Sequence, residues 1–150
     1  MIRVLVIHGA GMNMRGKTMF ELFGPLTLQQ YDECIKKYAE SLDIQVEIFH
    51  SNIEGQVIDK IYDAHDRGID AMLINPSGYT VGYPALAAAI AQVKFLTIEV
   101  HLSNPAQRGL ISQIAPVSRV TISGAGVFSY YLALLSVREI VVATRSSESK

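Results

Sequence analysis

The sequence predicts an α/β fold in which helices cover both faces of a doubly wound, five-stranded parallel sheet, giving three layers. Short and nearly continuous apolar segments, typical of strands buried on both faces, alternate along the chain with segments of helical periodicity. Most connections between these segments are short, and right-handed crossovers then leave few strand orders. Among these orders the flavodoxin-like one is favoured.

Five runs rich in branched and apolar residues mark the strands, which we place at residues 2–7, 44–49, 71–74, 95–101 and 120–122. Thr27-Leu28-Gln29-Gln30 and Ser51-Asn52-Ile53-Glu54 have the spacing of a capping box, so each predicts the start of a helix. Two more helices are predicted at 84–93 and 127–136. Residues 9–25 show no clear period, and a loop of that length is typical of a lid or a binding loop.

Composition indicates a single domain over residues 1–150, with a polar tail at 146–150 that we expect to be disordered. A net charge of −1 without any Lys/Arg run predicts neither nucleic acid nor an anionic membrane surface as a partner. One cysteine excludes an internal disulfide, and with no secretion signal the expected location is cytoplasmic. The hydrophobic share of 49% with 18% charged residues favours buried subunit contacts, hence a homo-oligomer.

The most informative motif is Glu99-Val100-His101-Leu102, which ends the fourth strand and is followed by Ser103-Asn104. In an open α/β sheet, ligands bind at the rim formed by the carboxyl ends of the strands. A histidine there can act as a general acid or base near neutral pH, and Glu99 shares its face of the strand. The alternative is a strand-end histidine that only bonds to backbone.

Other polar residues also follow predicted strands. Asn75-Pro76 can hold a substrate hydroxyl or carbonyl, or simply form a turn. His8 and His50 each end a strand, so we expect both near the same rim as His101. No metal-ligand spacing is present, and no metal site is predicted. Gly9-Ala10-Gly11 lacks the third glycine of a dinucleotide-binding loop, and no nucleotide site is predicted either.

Taken in order and spacing over residues 2–133, several short stretches resemble the type II 3-dehydroquinate dehydratase (type II dehydroquinase) family. They are Asn13 and Gly16, Phe23-Gly24, Thr27-Leu28, Ser51-Asn52, Glu54-Gly55, Ile58-Asp59, Ile74-Asn75-Pro76, Tyr79-Thr80, Glu99 to Asn104, Arg108, Gly124-Ala125-Gly126 and Tyr131 to Leu134. The resemblance implies a flavodoxin-like fold, trimers that assemble into a dodecamer, no metal or organic cofactor, and a lyase that eliminates water through an enolate.

The resemblance also implies roles for individual residues. His101 matches the general acid that protonates the leaving hydroxyl, Glu99 matches its neighbour, and Asn75 matches the asparagine that orients substrate and water. The backbone amides of Leu102 and Ser103 match the carboxylate-binding groups. Two further residues are assigned to substrate binding, Arg108 at the mouth of the site and Asn13 in the first loop.

Other positions depart from the family pattern. Phe23 stands where the family has its catalytic tyrosine base, and Thr18 stands where it has the arginine that keeps this tyrosine ionised. His8 replaces the asparagine that usually follows the first strand, which makes it our candidate for the missing base. Other polar positions of the family are Gly11, Val81, Ala87 and Ala88 here, so the pocket is less suited to a polyhydroxylated ring.

Three functions remain open at this point. The first is a lyase or isomerase of the family that acts on a different small carboxylic acid with a different base. The second is a non-catalytic ligand-binding or scaffold homologue. The third is a slow but genuine 3-dehydroquinate dehydratase.

Overall fold

A single parallel sheet forms the centre of the computed structural model, which describes residues 1–150. Its strands run in the order β2-β1-β3-β4-β5 and all neighbours are parallel. The predicted flavodoxin-like topology is therefore confirmed. The strands are β1 (Ile2–Ala10), β2 (Ile44–His50), β3 (Ala71–Ser77), β4 (Leu96–His101) and β5 (Val120–Ser123).

Five α-helices accompany the sheet: α1 (Phe20–Phe23), α2 (Leu28–Ser41), α3 (Glu54–Asp66), α4 (Pro84–Gln92) and α5 (Phe128–Glu148). Alternate residues of β1 point to opposite faces, so Val4 packs with α2 and α5 while Leu5 packs with α3 and α4. This produces two apolar cores, one on each side of the sheet. None of the helices combines the length and apolar content that a membrane crossing requires.

The two predicted capping boxes have different outcomes. Thr27 accepts a hydrogen bond from the Gln30 backbone and the Gln30 side chain accepts one from the Thr27 backbone, so the first box is confirmed. The second prediction is wrong, because α3 begins after Ile53 and has no side-chain cap. The Ser51 hydroxyl instead accepts from the backbone N–H of Ile53 and donates to Gln56 Oε1, so Ser51 shapes the turn before the helix.

Helix α5 is longer than its predicted span of 127–136. Buried Val137 and Val141 extend the apolar stripe that includes Tyr130, Ala133 and Leu134, so the same face stays packed for more than one further turn, and the helix then continues as an exposed segment to Glu148. An ion pair of 3.0 Å between Arg145 and Asp70 ties down the final turns. The helix ends at Glu148, so it includes the first three residues of the segment 146–150 for which the sequence predicts disorder.

The strand register aligns the polar residues found by sequence. His8 is the partner of His50 on one side and of Asn75 on the other, while Glu99 and His101 end the adjacent strand β4. All of them lie at the carboxyl rim of the sheet, which is the position expected for a ligand site.

Gly9 keeps β1 and β3 unusually close at this rim. A Cβ atom at Gly9 would lie 1.9 Å from the carbonyl oxygen of Pro76 and 2.9 Å from that of Asn75. Glycine is therefore required there for the close approach of the two backbones.

The loop after β1 is more ordered than its lack of periodicity indicates. It contains a short 3-10 helix (Met12–Met14) and then α1, and the Met12 side chain is fully buried in the larger core. Met12 therefore anchors the beginning of the loop in the core. The later part of the loop, with Arg15 and Phe23, lies over the rim of the sheet.

Candidate active site

His101 and Glu99 form a buried acid–base pair at the end of β4. Their side chains are 11% and 2% exposed, and His101 Nε2 lies 3.0 Å from Glu99 Oε2. The angle at this contact falls outside hydrogen-bond geometry, so Nε2 has no hydrogen-bond partner. The imidazole and the carboxylate are thus in close contact, while Nε2 stays free to bond to a ligand.

Ser112 holds the carboxylate of this pair in place. Its hydroxyl donates a short hydrogen bond to Glu99 Oε2 and accepts bonds of 3.1 and 3.2 Å from the backbone N–H groups of Ile114 and Ala115. Ser112 was not among the sequence candidates, because it lies in an irregular segment with no periodicity and reaches Glu99 only in the folded chain.

Asn75 belongs to a second buried chain of polar groups. Its Nδ2 donates to the Tyr130 hydroxyl at 3.3 Å, this hydroxyl lies 3.5 Å from His8 Nδ1, and His8 Nε2 lies 2.7 Å from Asp32 Oδ1. The contact with Asp32 favours the tautomer in which Nε2 carries the proton, so Nδ1 accepts from Tyr130. Neither Asp32 nor Tyr130 was among the sequence candidates, since each comes from a helix distant in sequence.

The residues after His101 place two backbone amides beside a guanidinium. The backbone N–H groups of Leu102 and Ser103 donate no hydrogen bond to a loop or side-chain acceptor. The Arg108 guanidinium donates to the Ser103 hydroxyl at 2.8 Å, so its charge is held next to these two amides. Free amides beside a guanidinium suit a carboxylate.

Arg15 is the principal site residue that the sequence analysis did not single out. Its guanidinium lies 3.5 Å from the centre of the Phe23 ring and donates to the Ser77 hydroxyl at 3.0 Å. The whole residue is only 8% exposed, and burial lowers the pKa of its guanidinium. One signal was available, because Arg15 is the single arginine in the aperiodic segment 9–25.

These residues surround a small cavity of about 70 Å³. The structure brings His101, Asn75, Leu102, Ser103 and Arg108 together in its lining, and Phe23, at the position of the family's tyrosine, lies there too. Arg15, Ser77 and Thr80 also line the cavity and were not among the sequence candidates.

Three other sequence candidates lie outside this lining. Glu99 stands behind His101, and His8 is fully buried behind Asn75. Asn13 is exposed on the loop, where its side-chain oxygen accepts from Asn52 at 3.2 Å.

No tyrosine is placed to act as a preformed tyrosinate. Phe23 is the aromatic residue in the cavity wall, and it has no hydroxyl group. The Tyr31 hydroxyl donates to the backbone carbonyl of Phe23 at 2.8 Å, and burial raises its pKa. Burial also raises the pKa of Tyr130 well above its ordinary value. Both phenols therefore remain protonated at neutral pH.

Comparison with known proteins agrees with this architecture. The model of the family Dehydroquinase class II matches residues 2–138. A 3-dehydroquinate dehydratase from Caldanaerobacter subterraneus is 42% identical, covering 92% of this chain and 95% of the relative, and one from Sulfurovum sp. is 37% identical, covering 99% and 95%. The crystal structure of a type II dehydroquinase from Butyrivibrio crossotus superposes with a TM-score of 0.87 at 34% identity, covering 91% of this chain and 97% of that one.

The fold, the rim site and these matches define an α/β enzyme of the hydro-lyase class. The chain belongs to the class II dehydroquinase family. Both the resemblance read from the sequence and the prediction of an enzyme are thereby confirmed.

Proposed function

We propose that this protein is a dehydratase that acts on a small carboxylic acid, with a general base, and hence a substrate, different from those of the type II pattern. The observation that carries the proposal is the wall formed by Phe23 under the Arg15 guanidinium. A phenyl ring cannot accept a proton, while the groups needed to bind a carboxylate and protonate a leaving group remain.

The retained groups support an elimination of water. We assign the substrate carboxylate to the amides of Leu102 and Ser103, supported by the Arg108 charge. His101 is the general acid, which protonates the hydroxyl so that it leaves as water. Glu99 stabilises the charged imidazole, and Asn75 orients the substrate beside it.

The position of His8 limits how it could act as the general base. His8, the candidate from sequence, reaches the cavity wall only through Tyr130 and Asn75. An amide does not relay protons readily, so for His8 to act as the base its ring must be exposed to the substrate by movement of Tyr130. In its observed position His8 instead fixes the orientation of Asn75. Asn13 would contribute to binding only when its loop moves inward.

A second candidate, 3-dehydroquinate as substrate, is favoured by the printed names of the relatives, which are 37% and 42% identical over nearly the whole chain. Without the tyrosinate this reaction is expected to be slow, since a positioned base contributes about 10²–10⁴ in rate.

A direct assay at high enzyme concentration distinguishes the two substrates. 3-Dehydroquinate is supplied and the enone absorbance of the product is followed, with His101→Ala as the control. Our proposal expects negligible turnover of this compound, and turnover of another small hydroxy acid that the same control abolishes. Fast turnover of 3-dehydroquinate that is lost in His101→Ala would contradict the altered substrate.

The role of His8 is tested with the same assay once a substrate is found. Loss of turnover in both His8→Ala and His8→Gln would support His8 as the base. Substantial activity in His8→Gln, which keeps a hydrogen-bonding group near Tyr130, would instead indicate that His8 only positions Asn75. Full activity in His8→Ala would remove His8 from the mechanism.

A further inference from the structure

We infer that Arg15 binds a second anionic group of the substrate, so that the preferred substrate is a dianion such as a dicarboxylic acid. The inference rests on the proposed function, because it assumes that a carboxylate occupies the Leu102 and Ser103 amides. It goes beyond that proposal by specifying that the substrate carries two negative charges and that Arg15 selects for the second one.

The lining of the cavity carries an excess of positive charge. Its lining includes the two guanidiniums of Arg15 and Arg108 and the imidazole of His101, but no aspartate or glutamate. The nearby Glu99 carboxylate is already shared by His101 and Ser112. One substrate carboxylate beside Arg108 therefore leaves the Arg15 charge without a counter-ion.

Arg15 is a buried cation whose hydrogen-bonding capacity is only partly used. A buried cation is costly unless it is paired and hydrogen-bonded. The Arg15 guanidinium donates to Ser77, but its buried Nε has no hydrogen-bond partner. The repulsion between Arg15 and Arg108 adds to this cost. An anion in the cavity would relieve both effects, since a guanidinium can donate two parallel bonds to a carboxylate.

Contacts with Phe23 and Ser77 hold the Arg15 guanidinium in one orientation. The stack on the Phe23 ring and the bond to Ser77 fix the plane of the guanidinium. Ser77 adopts a left-handed conformation with φ of 48°, which is uncommon for serine and costs free energy. A guanidinium that is oriented in advance loses little entropy when it binds a planar anion.

The experiment compares a small dianion with a matched monoanion that cannot react. Malonate and its half-amide have nearly the same size and differ by one carboxylate. Their binding to the protein is measured by isothermal titration calorimetry at low salt, for the wild type, Arg15→Met and Arg15→Lys. Methionine keeps much of the apolar stem against Phe23, and lysine keeps the charge but not the bidentate geometry. Lys17→Met is the matched control, because it removes an exposed cation from the same loop.

We expect malonate to bind the wild type at least about tenfold more tightly than the half-amide, as for a charge-assisted pair of roughly 1.5–3 kcal/mol. Arg15→Met should reduce this preference to less than about threefold while changing the affinity for the half-amide little, and Arg15→Lys should be intermediate. Lys17→Met should keep the wild-type preference.

Several results would overturn the inference: equal affinities in the wild type, no binding of either ligand, or an equal loss of both in Arg15→Met. A parallel thermal melt of Arg15→Lys and Arg15→Met identifies any variant that fails to fold, and the comparison within the wild type remains decisive in that case. Because no turnover is needed, failure of the dehydratase assay and failure of this test are separate results.

Discussion

At the scale of single residues, the contact between the Arg15 guanidinium and the Phe23 ring is the feature on which our proposals for the site depend. The cation lies directly over the ring, which is favourable for an uncharged aromatic and more favourable for a phenolate. The same contact predicts that a tyrosine introduced at position 23 would be ionised more readily than a free tyrosine.

Phe23→Tyr is predicted to create a base for 3-dehydroquinate. The Arg15 charge should favour ionisation of the new phenol, and adding Thr18→Arg should favour it further. We expect kcat for 3-dehydroquinate to rise about a hundredfold in the double variant and less in Phe23→Tyr alone. Thr18→Arg alone serves as the control and should have no effect on kcat. No gain in the double variant would show that other pocket changes, such as Val81, prevent this reaction.

His50 is predicted to weaken the fold in mild acid. Burial, and then the nearby His8, lower the pKa of His50 in the folded protein. The unfolded chain therefore binds the proton more readily, so the free energy of unfolding decreases as the pH falls through the ordinary histidine pKa of about 6.5. His50→Gln should reduce the decrease observed between about pH 7.5 and 5.5 in urea titrations.

His65→Gln, which removes an imidazole on helix α3 instead, is the matched control for this experiment. An unchanged slope of stability against pH in His50→Gln would contradict the assignment to His50.

At the scale of secondary-structure elements, the close approach of β1 and β3 is the feature most sensitive to change. Gly9→Ala places a methyl group against the Pro76 carbonyl, so one strand end must move. We expect a loss of at least about 3 kcal/mol in the free energy of unfolding, at the upper end for overpacking. Gly55→Ala is the matched control, because nothing lies within 4 Å of its added Cβ, and it should be neutral or slightly stabilising. Equal stability of the two variants would contradict the steric argument.

Most elements could be predicted from local patterns, and the failures have local causes too. The capping box at Thr27 was predictable because its partner Gln30 is only three residues away. Ser51 and Glu54 have the same spacing, but the Ser51 hydroxyl bonds to the turn at Ile53 instead. Helix α5 was predicted too short because its second half is polar on the outer face, while Val137 and Val141 continue the buried stripe.

The candidate site was predictable where its residues follow strands. His101, Asn75 and the Leu102-Ser103 amides line the cavity as their strand-end positions suggested. Arg15, Ser112, Asp32 and Tyr130 were not predictable, because each enters the site from a loop or helix through contacts that only the three-dimensional fold creates. The roles of all these residues stay predictions until variants are measured.

At the scale of the whole molecule, the surface keeps apolar side chains that one chain does not bury. Ile111 is 85% exposed, Met19 60% and Phe20 52%, and the latter two belong to the loop region over the site. Exposed apolar groups of this size are typical of surfaces that contact other subunits. Composition predicts a homo-oligomer, and the family resemblance implies trimers that assemble into a dodecamer; both stay predictions.

Multi-angle light scattering is the measurement for this prediction. We expect a particle about twelve times the chain mass of 16.5 kDa, with trimers as the smaller species on dilution. Ile111→Asp should shift the distribution toward smaller species, since a buried unpaired charge opposes association. A particle of 16.5 kDa at all concentrations would contradict the prediction.

The contact between Gly9 and Pro76 also has a consequence for how such a protein can diversify. It locks the strand ends that carry His8 and Asn75 to each other, so these two positions have almost no freedom to shift toward a new ligand. The segment 11–25, which carries Arg15 and Phe23, lies outside this contact, and its own close approach is between Gly16 and Thr27, away from the strand ends. A laboratory exchange of this one segment between relatives should therefore transfer ligand preference while the sheet rim is inherited intact.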